Sequence, residues 1–109
     1  MPRSKSVHTT LDLVVLTVLS RRGPLHGYAI ASAIQALSAE ALRIDEGSLY
    51  PALHRMEEAG WIKARAVVTE NNRRARVYEM TGAGRKQAEA EAERWESLAS
   101  GVARVLRLA

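Results

Sequence analysis

Apolar residues recur at helical spacing along the first half of the chain and predict three helices. These helices are expected from Thr9 or Thr10 to Arg22, from Gly27 to Leu37, and from Asp45 or Gly47 to Ala59. Gly23-Pro24 and Gly60 stop the first and the third helix. Because Pro51 lacks an N–H group, the third helix should start late or bend near its N-terminal end. The expected buried positions are Leu11, Val14, Val15, Val18, Leu19, Ile30, Ala33, Ile34, Leu37, Leu49, Leu53 and Met56.

After Gly60 the pattern changes to strand-like alternation, which predicts a β-hairpin. Its strands should run from Trp61 to Thr69 and from Ala75 to Thr81, joined by a loop from Glu70 to Arg74. Either asparagine of that loop can adopt the left-handed conformation that a tight turn requires. The buried face of the first strand is expected to hold Ile62, Ala64, Ala66 and Val68.

A long last helix, capped by Thr81, is predicted from about Gly82 to Leu106. Apolar residues follow one another there at steps of four and three, which is the spacing of a helix–helix seam. The seam residues, predicted to form a dimer interface with the same helix of a second chain, are Ala88, Ala92, Trp95, Ala99, Val102 and Leu106.

Three helices, a hairpin and a long last helix predict an α+β, mostly α, fold: a winged helix-turn-helix domain followed by a C-terminal dimerisation helix. Residues 1–8 are expected to form a flexible basic arm, residues 9–81 the winged helix-turn-helix domain, and residues 82–109 the dimerisation helix. In this fold a helix can enter the major groove of duplex DNA while a basic hairpin tip reaches the backbone or the minor groove.

Composition narrows the class of protein. With 109 residues, 47% of them hydrophobic and 26% charged, the chain suits one globular domain. It has no cysteine, which excludes disulfides, thiolate metal sites and a cysteine nucleophile. The longest apolar run, Leu13 to Leu19, is too short to cross a membrane, so a cytoplasmic protein is expected.

Positive charge is concentrated around the predicted hairpin. The segment from Arg55 to Arg76 holds six basic and three acidic side chains, whereas the segment from Glu89 to Glu96 holds four glutamates and one arginine. A polyanion should therefore be attracted to the hairpin and not to the last helix.

The candidate DNA-binding residues lie on the outward side of the third helix and on the hairpin. They are Ser48, Tyr50, Pro51, His54, Arg55, Asn71, Asn72, Arg73, Arg74 and Arg76. Two alternatives remain open: Arg55 can instead pair with Glu57 or Glu58, and Tyr50 can pack under the hairpin or offer its hydroxyl to a phosphate.

No enzymatic chemistry or cofactor is predicted. His8, His26 and His54 lie far apart without carboxylates at metal-ligand spacing, so no metal site is expected, and His26 is interpreted as a local hydrogen-bonding residue. Ser48, His54 and Asp45 fall on one short helix, where they cannot form a catalytic triad.

Several ordered motifs resemble the PadR family of bacterial transcriptional regulators, and the similarity extends from about Leu11 to Leu106. The motifs are Leu25-His26-Gly27-Tyr28-Ala29-Ile30, Gly47-Ser48-Leu49-Tyr50-Pro51-Ala52-Leu53-His54-Arg55-Met56-Glu57, Gly60-Trp61-Ile62, Glu70-Asn71-Asn72-Arg73-Arg74-Ala75-Arg76-Val77-Tyr78 and Thr81-Gly82-Ala83-Gly84-Arg85. A single helix after the hairpin resembles the shorter PadR-like type.

The resemblance implies a homodimeric repressor that binds a palindromic operator on double-stranded DNA and releases it in response to a small-molecule effector. It places Ser48, Tyr50, Pro51, His54 and Arg55 in the recognition helix and Asn71 to Arg74 in the wing. Trp95 aligns with an aromatic position that lines an effector pocket in some relatives, although it also suits the role of the largest side chain in the dimer seam. An alternative function is a protein-interaction module that acts through the last helix without binding DNA.

Overall fold

Three helices enclose an apolar core, a small sheet covers one side of it, and a long fourth helix leaves the domain. The structure, a computed structural model, describes residues 5–107, with side chains from residue 10 to residue 107. Its elements are α1 (Lys5–Arg22), β1 (Leu25–His26), α2 (Gly27–Leu37), α3 (Glu46–Glu58), β2 (Ile62–Val68), β3 (Arg74–Met80) and α4 (Gly82–Leu106). The predicted fold, a mostly helical winged helix followed by one long helix, is confirmed.

The core is built from side chains of all three leading helices and the sheet. Burial of each large apolar side chain stabilises the fold by roughly 1.5–3 kcal/mol. The fully buried ones are Val15, Leu16, Val18, Ile30, Ile34, Leu49, Leu53, Met56 and Ile62. Leu16, absent from the predicted face, is among them, whereas Leu37 is exposed at the end of α2, where the helix has passed the core.

The first helix starts earlier than its sequence suggested. It begins at Lys5, so residues 5–8 are helical and the predicted start at Thr9 or Thr10 is wrong; residues 1–4 of the predicted flexible arm lie outside the described residues. No glycine or proline interrupts the chain from Lys5 to Arg22, and a threonine inside a helix costs only a few tenths of a kcal/mol, about 0.5. The helix ends as predicted before Gly23, which has a left-handed φ of +81°.

The third helix keeps Pro51 in its second turn. It begins at Glu46, and the Asp45 side chain caps it by accepting a bond from the Ser48 N–H at 2.8 Å, so the late start is wrong. Pro51 leaves the Gly47 carbonyl without its usual intrahelical donor. At the other end, Gly60 has a φ of +83°, and the Trp61 N–H reaches back to the Met56 carbonyl at 3.0 Å, which is a glycine C-terminal cap as predicted.

The sheet is antiparallel with strand order β1-β3-β2. The β2–β3 hairpin pairs from Ile62 opposite Met80 to Val68 opposite Arg74. The predicted burial of one face of β2 is confirmed only at the end nearest the core, where Ile62 is buried and Ala64 half-buried. Ala66 and Val68 are exposed. The expectation for the last two is wrong because the hairpin extends beyond the core into solvent, where it forms the wing.

The last helix spans Gly82–Leu106, as predicted. Its cap is Thr81, whose Oγ1 accepts a bond from the Gly84 N–H at 3.1 Å and donates one to the Gly60 carbonyl at 2.6 Å. Gly84 lies against the Trp61 carbonyl, where a Cβ would clash with the backbone. The predicted seam divides along the helix: Ala88 packs against the core of its own chain, and the exposed apolar side chains beyond it are Trp95, Leu98, Val102, Val105 and Leu106.

Among the helices of the described chain, none is both long and apolar enough to span a membrane.

Candidate nucleic-acid interface

The outward side of α3 carries most of the residues predicted to contact DNA. Leu49, Ala52, Leu53 and Met56 point into the core, which leaves Ser48, Tyr50, Pro51 and His54 exposed on the other side. His54 and Glu58 pair along this surface, with 3.3 Å between Nε2 and the carboxylate oxygen. The helix thus presents a polar, accessible face of the size that fits a major groove.

Hydrogen bonds between Thr69 and Arg73 hold the turn at the tip of the wing, and the arginine side chains take no part in them. The Thr69 N–H bonds the Arg73 carbonyl at 2.8 Å, and the Arg73 N–H bonds the Thr69 hydroxyl at 3.2 Å. Asn72 takes the left-handed position with a φ of +60°, which settles the choice between the two asparagines. Neither Arg73 nor Arg74 pairs with an acidic side chain of the described chain, so both guanidinium groups are available to a ligand.

A groove of about 710 Å³ separates the start of α2 and α3 from the wing. None of its lining residues in the described chain is acidic, and three of them are arginines. They are His26, Gly27, Tyr28, Tyr50, Thr69, Asn71, Arg73, Arg74, Ala75, Arg76 and Tyr78. The groove therefore offers a basic channel that suits a sugar-phosphate backbone.

Tyr50 forms the floor of this groove, packed against the start of α2. Its ring lies so close to Gly27 that a Cβ added at Gly27 would be 2.6 Å from the Tyr50 hydroxyl. The side chain nevertheless remains partly exposed towards the wing. Tyr50 therefore packs against the start of α2 and lines the groove, and a contact of its hydroxyl with a phosphate stays a prediction.

Arg55 forms a contact that the sequence did not predict. Its guanidinium donates two hydrogen bonds to Asp12 on α1, from Nη1 to Oδ2 at 2.7 Å and from Nη2 to Oδ1 at 3.1 Å. The alternative pairing with Glu57 or Glu58, which the sequence left open, does not form, because the Asp12 carboxylate, 5% exposed, needs a partner more than a solvated glutamate does. The pair ties α3 to α1, and a DNA contact by the remaining donors of Arg55 stays a prediction.

Arg76 connects the wing to α3 through an ion pair with Glu57, with 3.0 Å between Nη2 and Oε2. A hydrogen bond with Tyr78, followed by the charge of Glu57, raises the pKa of Arg76 above its ordinary value. The arginine joins the wing to α3 and also lines the groove.

A second groove, of about 490 Å³, lies on the other side of the domain between α1, the end of α2 and α4. Trp95 and Ala92 form one wall, and Val14, Val18 and Leu37 are among the residues of the other. This apolar groove joins the exposed side of α4.

In the part of the chain that the structure describes, no three histidine, aspartate or glutamate side chains come together as a metal site.

The Asp12–Arg55 pair gives a stability prediction. Asp12→Ala should lower the free energy of unfolding by about 1–3 kcal/mol, less than for a wholly buried pair because Arg55 is 37% exposed. Urea unfolding followed by circular dichroism measures it. Glu40→Ala is the matched control, since it removes the carboxylate of the exposed Arg43–Glu40 pair and should cost no more than about 0.5–1 kcal/mol. Equal losses in the two variants would contradict the structural role of Asp12.

Comparison with known proteins identifies related regulators. A family model described as the transcriptional regulator PadR-like family matches residues 15–90. The match begins within α1, includes the whole of α2, α3 and the wing, and ends inside α4. It therefore contains every candidate DNA-contacting residue.

Two curated proteins are similar in sequence. One is an uncharacterized 37.1 kDa protein in a transposon of Streptomyces fradiae, 39% identical over 91 residues that make up 84% of this chain and 24% of that protein. The other is a transcriptional regulator of Mycobacterium tuberculosis, 38% identical over 68 residues, which are 62% of this chain and 63% of that protein. The chain thus spans less than two thirds of the length of each.

Solved structures share the fold. A transcriptional regulator from Clostridium thermocellum superposes with a TM-score of 0.81 at 28% identity, covering 92% of this chain and 96% of that chain. PadR of Bacillus subtilis, solved in complex with operator DNA, superposes with a TM-score of 0.65 at 24% identity, covering 73% of this chain and 45% of that chain. The second similarity concerns the fold alone.

Proposed function

The chain belongs to the PadR-like family of transcriptional regulators, and we propose that it acts as a homodimeric repressor that binds a palindromic operator and is released by a small molecule. In this proposal the recognition surface consists of Ser48, Tyr50, Pro51 and His54 on α3. The wing tip, Asn71 to Arg74, grips the neighbouring backbone.

One observation carries the proposal: Tyr50, from the exposed face of α3, and the unpaired arginines of the wing tip line the same groove, and no acidic side chain of the described chain lines it. Arginine forms forked, charge-assisted bonds to phosphate oxygens, whereas the helix face can reach base edges. The Bacillus subtilis relative, solved with operator DNA, is the family precedent for this use of the fold.

The homodimer is proposed from the apolar surface of α4. Five large apolar side chains between Trp95 and Leu106 are exposed in the single chain. A contiguous apolar surface of this kind marks an interface in a stable protein. A two-fold pair of chains would bury it and would also present two recognition helices to the two half-sites of a palindrome.

The effector site is proposed in the apolar groove beside Trp95. Its lining combines apolar side chains with the charged Arg21 and Glu96, which suits an organic molecule with a polar substituent. Trp95 can serve there as a stacking surface or as the largest side chain of the dimer seam. Quenching of tryptophan fluorescence by planar organic compounds, compared between the natural chain and Trp61→Phe, distinguishes the two roles.

The direct test of DNA binding is a gel shift of mixed-sequence duplex fragments at low and moderate salt. We expect binding at low salt and a steep loss as salt increases, because counterions displaced from phosphates supply most of the non-specific affinity. Selection of bound genomic fragments would then give the operator. No shift at either salt concentration would overturn the proposal and favour a protein-interaction module acting through α4.

A further inference from the structure

The segment His26-Gly27-Tyr28 forms the wall of the groove that faces the wing. Tyr28 is 70% exposed, and its ring stacks on that of His26 with 6.4 Å between centroids and 14° between planes. Neither ring belongs to the core. Gly27, between them, is buried under Tyr50, so the backbone that carries both rings is anchored.

The hydrogen bonding of His26 defines which of its nitrogens carries a proton. Nδ1 accepts the Ala29 N–H at 3.3 Å and caps α2. A neutral imidazole that accepts at Nδ1 carries its proton at Nε2, so Nε2 is a donor. Neither Nε2 of His26 nor the hydroxyl of Tyr28 has a hydrogen-bond partner in the described chain. Two neutral donors are therefore free on this wall.

The sheet brings this wall to the wing. β1 pairs with β3, with His26 opposite Val77, and β3 begins at Arg74, directly after Arg73 of the tip. The groove consequently has free guanidinium groups on one side, at Arg73 and Arg74, and neutral donors on the other. An anionic strand lying in the groove would meet donors on both sides.

We propose that His26 and Tyr28 bind a phosphate of the DNA backbone through Nε2–H and the phenolic hydroxyl, opposite the wing. This inference rests on the proposed DNA-binding function and adds a second contact wall to it. Because both donors are uncharged, they should contribute affinity without displacing counterions. The contribution can thus be separated from that of the arginines by its salt dependence.

Two conservative variants test the proposal. Tyr28→Phe keeps the ring and its stacking but removes the hydroxyl. His26→Asn keeps a side chain that caps helices well, but its shorter amide does not place a donor where Nε2–H lies. Each should weaken binding of a labelled mixed-sequence duplex about three- to tenfold at every salt concentration, with an unchanged slope of log K against log salt. Fluorescence anisotropy measures affinity, and thermal melting checks the fold. Ser20→Ala, which removes an exposed hydroxyl outside the groove, is the control and should bind like the natural chain.

The outcomes separate this inference from the proposed function. If the natural chain binds DNA and both variants bind it as tightly as the natural chain does, the proposed phosphate contacts of His26 and Tyr28 are refuted, while DNA binding stands. If His26→Asn loses DNA affinity and also melts at a lower temperature, the histidine only caps α2. Its proposed contact with a phosphate is then overturned. If the natural chain binds no duplex, the proposed function itself fails.

Discussion

Replacing both Arg73 and Arg74 with alanine is expected to weaken binding of all duplex sequences by at least about tenfold at moderate salt. Both guanidinium groups are unpaired in the described chain and lie at a tip whose turn is fixed by Thr69 and Asn72. They should therefore bind phosphates without first breaking an internal contact. Each phosphate contact contributes about 0.9 to the slope of log K against log salt, so the slope should flatten by about two per protomer.

The matched control for this variant removes the same charge from elsewhere on the wing. Lys63 and Arg65 are exposed on β2 and do not line the groove. Lys63→Ala combined with Arg65→Ala should therefore retain most of the affinity and the slope. Anisotropy titrations of both double variants over a series of salt concentrations provide the comparison. Equal effects would mean that only net charge matters, and an unchanged slope in the tip variant would refute the wing as a phosphate clamp.

The elements predicted well from the sequence are those defined by local signals. The span of α2 matched because apolar residues recur in it at helical spacing, and that of α4 because Thr81 caps its start and apolar residues continue at steps of three and four to Leu106. The hairpin matched within a residue or two because its alternating strands flank an asparagine pair that suits a tight turn. In such segments a few neighbouring residues determine the backbone.

The features that the sequence did not reveal depend on residues far apart in the chain. β1 has only two residues, too few for an alternating pattern, and exists because β3 pairs with it. The Asp12–Arg55 pair joins side chains separated by 43 positions, whereas local spacing pointed to Glu57 and Glu58. His26 and Tyr28 entered the candidate site for the same reason, since only tertiary folding places them opposite the wing.

In the proposed homodimer, affinity for an operator would depend on the second chain as much as on the first. One recognition helix and one wing make a limited number of phosphate contacts, and a monomer would bind each half-site independently. Joining two such units converts the second binding event into an intramolecular one, which raises affinity by about 10²–10⁴ without a new DNA contact. The apolar face of α4 is thus an indirect part of the proposed DNA-binding machinery.

Val102→Glu is accordingly expected to convert the proposed dimer into monomers and to lower operator affinity by about 10²–10⁴. Val102 is 47% exposed in the single chain and lies on the apolar face between Trp95 and Leu106. A carboxylate buried there without a partner would oppose association. Light scattering measures the mass, and anisotropy with the selected operator measures the affinity. Ser100→Glu adds the same charge on the opposite side of α4 and should leave both unchanged; a Val102→Glu protein that remains dimeric would show that the chains associate elsewhere.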